Sequence, residues 1–168
     1  LIVESARALA SFHDDPVGLV TACRRVVSRQ LTCGGLWWLC SRMLCAPDPL
    51  DEARAVVGEV EADDTARQLA GHLASHDFGS EVAMRGPRVA MLGWPVAVSD
   101  ALARGGVDEV LVIDAGGEGA ACVRALSGHG LEAIDVPLDG LAAAVIESDV
   151  VLIEADAASP TGALAHAG

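Results

Sequence analysis

Four short apolar runs alternate with helical stretches in the second half of the chain, and this alternation constrains the fold most. The runs follow Gly86-Pro87 and cover residues 88–93, 110–114, 131–136 and 149–154. Helical patterns near 96–104, 118–128 and 139–147 separate them. Strands that alternate with helices of this length predict βαβ units, a parallel sheet and right-handed crossovers. We therefore expect a Rossmann-like sheet domain over residues 86–168.

The first half of the chain has the period of amphipathic helices. Apolar residues recur three and four positions apart, as at Val3, Ala6 and Leu9. Proline and glycine breaks divide it into helices near 2–12, 16–30, 35–45 and 49–76, with an interruption around residues 63–65. The sequence thus predicts an α/β protein in which a helical domain, 1–85, precedes the Rossmann-like domain.

The charge balance limits the partners. Arginine supplies all 11 basic residues, against 24 acidic ones, so the formal net charge is −13. Such a field repels nucleic-acid phosphates. Arg24, Arg25 and Arg29 form the only local basic cluster, which we interpret as a solvated helix face balanced by a nearby acidic one. No apolar run approaches the roughly 20 residues that span a bilayer, and no signal-peptide pattern is visible. We expect a cytoplasmic protein without membrane or nucleic-acid partners.

The cysteines and histidines predict no metal centre. The five cysteines contain no Cys-x-x-Cys pair, which favours buried, reduced thiols over a zinc site or a disulfide framework. Cys33, Cys40 and Cys45 are expected on one helix face. His72 and His76 are four positions apart but lack a third nearby ligand, so we interpret them as exposed helix residues.

Two adjacent tryptophans, Trp37 and Trp38, point about 100° apart if they lie on a helix. We expect one ring to pack inward and the other to cover a seam with the sheet domain or a partner.

Residues at the strand ends could bind a ligand, because the carboxyl ends of parallel strands meet the amino ends of helices. Gly93 follows the first strand, and the second runs into Asp114, Gly116, Gly117 and Gly119. The glycines could present backbone N–H groups to an anion. A dinucleotide fingerprint, however, should follow the first strand and carry a third glycine, where this chain has cysteine. A plain flexible turn is an equal alternative.

The end of the chain resembles a known signature. It reads VVLIEADAASPTGALAHAG, and in the initiation-factor-2B-like family an apolar strand runs into Gly-Ala-Asp, then Asn-Gly and a later glycine. Ala155-Asp156 matches the Ala-Asp, Gly162 the second glycine and Gly168 the last. The segment 29–32, Arg-Gln-Leu-Thr, also resembles the Arg-Pro-Thr segment of that family.

The resemblance implies a fold and two kinds of function. The family includes regulatory subunits of the eukaryotic guanine-nucleotide exchange factor, and isomerases of methylthioribose 1-phosphate or ribose 1,5-bisphosphate. Its members join an N-terminal helical domain to a Rossmann-like domain. The resemblance also implies that further strands, with much of a dimer surface, follow Gly168.

Departures from the family pattern argue against catalysis. The related isomerases pair the aspartate that Asp156 matches with a cysteine after the first sheet strand, whereas the turn here is Gly93-Trp94-Pro95-Val96. An arginine that helps to hold phosphate after the second strand is missing, and Glu118 lies in that loop. Thr161 replaces the asparagine, and His166 lies near the position of a frequent lysine.

We therefore predict a diverged, non-catalytic binding or regulatory module that needs no cofactor and acts through a homo-oligomer or a protein partner. The alternative is a sugar-phosphate isomerase, or a binder of a phosphorylated sugar or nucleotide. In that alternative Asp156 is the candidate catalytic residue, and the ligand is bound by Gly93, Asp114, Gly116, Gly117, Gly119, Asp156 and Gly162.

Overall fold

The computed structural model describes residues 1–79, 82, 86–155 and 157–164 of the chain. These residues form two compact units. The first, which we name the helical unit, comprises Leu1–Asp63 and Ala155–Leu164, and the second, the sheet unit, comprises Asp64–Glu154. The domain limits 1–85 and 86–168 remain a prediction.

The helical unit contains helices α1 to α4, which span Ile2–Ala10, Pro16–Arg29, Gly34–Cys45 and Pro49–Glu61. Aspartate followed by proline begins two of them. The Asp15 carboxylate accepts a hydrogen bond from the Gly18 N–H (2.9 Å), and the Asp48 carboxylate accepts one from the Leu50 N–H (2.8 Å). These caps satisfy backbone donors that have no partner inside the helix. The apolar faces meet in a core that includes Leu9, Leu19, Leu36, Leu39, Met43 and Val56.

A short hairpin follows the sheet unit in the chain and differs from the expected strand and loop. Strands β5, Ala157–Ser159, and β6, Gly162–Leu164, pair antiparallel with Ala158 opposite Ala163. Pro160 and Thr161 form the two-residue connection. Proline fixes φ near the value that the first corner of a turn requires, so the local sequence favours a reversal here.

The sheet unit has the predicted α/β fold. Its parallel strands β1 to β4 span Arg88–Leu92, Glu109–Asp114, Glu132–Pro137 and Val150–Leu152, and their order across the sheet is β3-β2-β1-β4. Helices α5 to α8 span Thr65–Ser75, Val96–Leu102, Gly119–Gly128 and Leu141–Glu147. A 3₁₀ turn, Leu138–Gly140, precedes α8. From its apolar period, α5 was expected to belong to the helical domain. In the structure α5 packs against α6 within the sheet unit.

Both faces of the sheet are covered, which explains the continuous apolar runs of β1 and β2. Val89 and Val110 lie on the face that packs against α5, α6 and α7, where the core includes Leu73, Val98, Leu102, Cys122 and Leu126. Leu111 and Ile113 lie on the other face, against Ala144 of α8. Within the described part of the chain, no helix has the length and apolarity needed to cross a bilayer.

Candidate ligand site at the carboxyl ends of the strands

The order of the strands fixes where a ligand would bind. The chain proceeds from β1 to β2 on one side, whereas β4 lies on the other side of β1, so the order reverses between β1 and β4. In open α/β sheets the crevice beyond the carboxyl ends at this reversal is the usual ligand position. In this chain the crevice is bordered by Gly93-Trp94-Pro95 after β1 and by Ile153 and Glu154 after β4.

A carboxylate of the protein lies at the amino end of the helix that follows β1. Helix α6 begins after Pro95, which provides no side-chain cap. Instead, Oε2 of Glu154 accepts a hydrogen bond from the Ala97 N–H at 3.1 Å, although the two residues are 57 positions apart in the chain. Anionic ligands of Rossmann-like domains bind to such free N–H groups. Glu154 therefore supplies, from within the chain, the negative charge that the helix start favours.

The turn after β1 contains no group that transfers protons. Gly93 has φ of +68°, in the left-handed region that favours glycine, and its N–H donates to the carbonyl of Ile113 at 2.9 Å. Gly93 therefore has a structural role, which is to allow the backbone to turn after β1. Trp94 offers only an indole N–H, and Pro95 has neither a donor nor an ionisable side chain.

The loop after β2 is closed by its own aspartate. Oδ1 of Asp114 accepts a hydrogen bond from the Gly117 N–H at 2.6 Å, and Gly117 has φ of +82°. This geometry resembles the turns that aspartate forms with nearby backbone N–H groups. The N–H of Gly117, one of the donors predicted to face an anion, is therefore already bound.

The glycine that begins α7 allows a close approach between side chains of two strands. A Cβ added at Gly119 would lie 2.3 Å from Oδ1 of Asp135 and 2.8 Å from Cβ of Asp114. The absence of a side chain thus leaves room for both aspartates. Asp135 lies on β3, opposite Val112 of β2, and the sequence reasoning missed it. Its signal was an acid inside a strand, between the apolar residues Ile134 and Val136.

A thiol is buried beside these carboxylates. Cys122 lies in the core of the sheet unit. The pKa of its thiol is raised to about 11, chiefly by burial. A hydrogen bond with Ser99 lowers the pKa, and the nearby carboxylates of Asp135 and Glu118 raise it. The thiolate is the nucleophilic form, so Cys122 is a packed, protonated side chain near neutral pH.

The loops that follow the four strands carry acids and no arginine or histidine. They cover residues 93–95, 115–118, 138–140 and 153–155, and contain Glu118, Asp139 and Glu154. A phosphate group would therefore meet carboxylates without a compensating cation from these loops. Among the residues that the structure describes, no group of histidine, cysteine, aspartate and glutamate side chains could hold a metal ion.

The predicted ligand residues fall into three groups. Gly93, Asp114, Gly116, Gly117 and Gly119 all lie at the carboxyl edge of the sheet. Gly162 begins strand β6 in the other compact unit. The candidate catalytic residue Asp156 lies outside the described residues, as do His166 and Gly168. A ligand role for any of them remains a prediction.

Comparison with known proteins supports the fold. No family model matches the sequence, and no curated protein matches it. Among solved structures, the chain is similar to the translation initiation factor eIF-2B of Pyrococcus horikoshii OT3, with a TM-score of 0.72 and 14% sequence identity. The match covers 92% of this chain and spans 59% of that one. The likeness agrees with the resemblance at the end of the chain, and the fold of this protein is eIF-2B-like.

Proposed function

We propose that this chain is a non-catalytic binding or regulatory module built on an eIF-2B-like fold. One observation carries the proposal: carboxylates of the protein occupy backbone donors at the carboxyl edge of the sheet. Glu154 binds the Ala97 N–H, and Asp114 binds the Gly117 N–H. A phosphorylated substrate would have to displace these internal anions.

The chemistry of the turn after β1 supports the same conclusion. Moving a proton between neighbouring sugar carbons needs an acid and a base within about 3 Å of the reacting atoms, each worth roughly a hundredfold to ten-thousandfold in rate. Gly93-Trp94-Pro95 provides neither. The buried, protonated Cys122 belongs to the core and does not replace the cysteine that the related isomerases use.

Calorimetric titration tests the proposal. Ribose 1,5-bisphosphate, methylthioribose 1-phosphate and adenosine monophosphate are each titrated into the full chain, and conversion of the two sugar phosphates is followed by phosphorus NMR. We expect no conversion and no binding tighter than about 1 mM, which corresponds to about −4 kcal/mol. Glu154→Gln, which removes the internal charge, is expected to bind phosphate ligands more tightly than the unmodified chain.

Conversion of either sugar phosphate that disappears in Asp156→Ala would contradict the proposal. Circular dichroism of each variant shows whether the fold is kept. A lack of binding that results from unfolding is thereby recognised.

A second candidate is a binder of a ribose-containing ligand. It is favoured by Asp114 and Asp135, whose side chains converge at Gly119 and could accept hydrogen bonds from sugar hydroxyls. The same titration separates the two candidates. Binding of adenosine monophosphate that Asp114→Asn weakens tenfold would support this second function, and its absence would support the first.

A further inference from the structure

One segment of this acidic chain contains no acidic residue. Residues 16–46, which comprise α2, α3 and their connection, have four arginines, whereas all 24 aspartates and glutamates lie elsewhere. The segment also holds Trp37 and Trp38. The helical hairpin formed by α2 and α3 is therefore a basic and apolar surface on a molecule that is otherwise strongly negative.

Three of these arginines lie on α2. Arg24, Arg25 and Arg29 are exposed on α2, and in the described part of the structure none of them forms an ion pair. Their exposure agrees with the expected solvated helix face, and a nearby acidic face that balances them stays a prediction. Arg42 of α3 differs, because its guanidinium binds Glu52 and also Glu59, at 2.5 Å.

An apolar groove runs beside Arg24, between α2 and α3. Its volume is about 250 Å³ and it is lined by Cys23, Arg24, Val27, Trp37, Cys40, Ser41 and Leu44. This volume is below the range of about 300–1,000 Å³ typical of small-molecule sites. The groove has room for a few apolar side chains rather than for a whole cofactor.

The walls of the groove are held in place although they face solvent. Trp37 is 50% exposed, yet its indole N–H donates to the carbonyl of Leu31 at 3.1 Å, which fixes the ring. Leu44 is 44% exposed. Below them the buried Cys40 thiol donates to the carbonyl of Cys23 at 3.8 Å. Rigid aromatic walls beside exposed arginines have the composition of binding hot spots.

We propose that this groove binds an acidic amphipathic helix of a partner protein. Apolar residues of that helix, spaced at three and four positions, enter the groove, as in other helix-in-groove complexes. Its carboxylates pair with Arg24 at the rim of the groove, where Arg25 adds further positive charge. Arg25 and Arg29 lie about 100° and 140° from Arg24 around α2, so they add positive charge to the hairpin outside the groove.

The distribution of charge favours a single helix over larger anionic partners. An anionic bilayer or a nucleic acid presents an extended negative surface that would also face the acidic remainder of the chain, where all 24 acids lie. A bound helix need contact only the groove and its rim. At physiological salt, charges more than about 8 Å away are largely screened. The expected partner is thus a short helical segment that carries apolar anchor residues and flanking carboxylates.

The experiment measures fluorescence anisotropy of a labelled synthetic peptide. The probe has about 18 residues, with leucines at helix spacing on one face and glutamates beside them. One control peptide replaces every glutamate with lysine, and the other replaces every leucine with serine. We expect the acidic probe to bind the full chain, with an affinity that falls as salt is added, and neither control to bind.

Variants of the chain assign the binding to the groove. Arg24→Glu combined with Arg25→Glu is expected to weaken binding about tenfold or more, because each exposed ion pair contributes up to about fivefold and is replaced by repulsion. Leu44→Ser removes an apolar wall and should weaken binding at all salt concentrations. Arg104→Glu combined with Arg124→Glu is the matched control, since it makes the same charge change on two exposed residues of the sheet unit.

Several outcomes would overturn the proposal. They are equal affinity of the lysine peptide, unchanged binding by the Arg24 and Arg25 double variant, and no binding of the acidic probe. Binding to vesicles of phosphatidylserine and phosphatidylcholine in place of the peptide would assign the surface to a membrane. Self-association that the double variant abolishes, without peptide binding, would assign it to a second copy of the chain. These outcomes concern the helical unit and are separate from the sugar-phosphate titrations.

Discussion

Burial divides the cysteines into inert and reactive thiols. It raises the pKa of Cys23 to about 12, and it also raises the pKa values of Cys40 and Cys122. Cys45, by contrast, is exposed at the end of α3. Its expected place on the same helix face as Cys40 is wrong, because five residues turn a helix by about 140° beyond a full circle.

Alkylation should therefore distinguish Cys45 from the three buried thiols. In iodoacetamide at about pH 8, we expect Cys45 to react first, because the thiolate is the reactive form and buried thiols stay protonated. Mass spectrometry of tryptic peptides measures the order of modification. Cys23, Cys40 and Cys122 should react only after urea unfolds the chain. Loss of the fast phase in Cys45→Ser is the control, and equal rates for all thiols in the native protein would contradict the assignment.

The candidate site shows how far single residues can be predicted. Parallel connectivity correctly brought Gly93, Asp114 and the glycines after β2 to one edge of the sheet. It did not reveal that the Gly117 N–H binds Asp114, or that Gly119 makes room for Asp135. The first depends on the conformation of the loop and the second on the register of β3 beside β2. Neither is encoded in residue spacing.

At the scale of helices, two glycines provide a matched pair of substitutions. A Cβ at Gly18 in α2 would lie 2.2 Å from Oδ2 of Asp15, the residue that caps this helix. A Cβ at Gly58 in α4 would meet nothing within 4 Å. Alanine is the better helix former by roughly 1 kcal/mol. Gly58→Ala should therefore raise the free energy of unfolding by about 0.5–1 kcal/mol.

Gly18→Ala should instead lower the free energy of unfolding. The new methyl group displaces the Asp15 carboxylate, and loss of such a cap costs about 1 kcal/mol, which cancels the gain in helix propensity. The same methyl group would lie 2.9 Å from Cδ1 of Phe12, and this crowding makes the net effect destabilising. Urea denaturation measures both variants. A second substitution, Asp15→Ala, checks the reason, because Gly18→Ala should cause little further loss once the carboxylate is gone. Equal stabilisation by both alanines would show that the cap contributes nothing.

Helices and strands with a clear apolar period could be predicted from the sequence. Features that depend on contacts in the folded chain could not. The helices of the first half and the strands β1 to β4 agree closely with the expected positions, because they have clear apolar periods or runs and several of them begin or end near a proline or glycine. The β5–β6 hairpin was missed, because its strands are only three residues long and have no apolar alternation. One of the rings of Trp37 and Trp38 was expected to pack inward, but both are partly exposed, since the groove beside Trp37 is open and Arg42 stacks on Trp38.

Across the whole molecule, the pairing of distant segments limits what a sequence can predict. The order β3-β2-β1-β4 follows the usual connectivity of such sheets, so the crevice between β1 and β4 could be expected. The contact of Glu154 with Ala97 could not, because it joins residues 57 positions apart and depends on the side-chain direction after β4. A charge count gives −13 for the chain, but only the folded structure shows that Arg24 lies beside an apolar groove.

The composition of the chain allows its alkaline stability to be assigned to thiols. It contains no lysine and no tyrosine, so cysteine is the only side-chain type that titrates between about pH 9 and 11. Unfolded thiols lose their protons near pH 9.0, whereas burial keeps Cys23 and Cys122 protonated to about pH 12 and 11. Above pH 9 the native state therefore binds more protons than the unfolded state, so stability must fall as pH rises.

Urea denaturation at a series of pH values, in the presence of a reducing agent, should show this loss. The free energy of unfolding is expected to be constant near pH 8 and to fall above pH 9 by up to about 1.4 kcal/mol per pH unit for each buried thiol. Cys122→Ala should make the slope shallower by one such contribution even though it lowers stability at neutral pH. Cys45→Ala, at the exposed position, should leave the slope unchanged. A flat profile through about pH 10.5 would mean that the buried thiols ionise as readily in the folded chain as in the unfolded one.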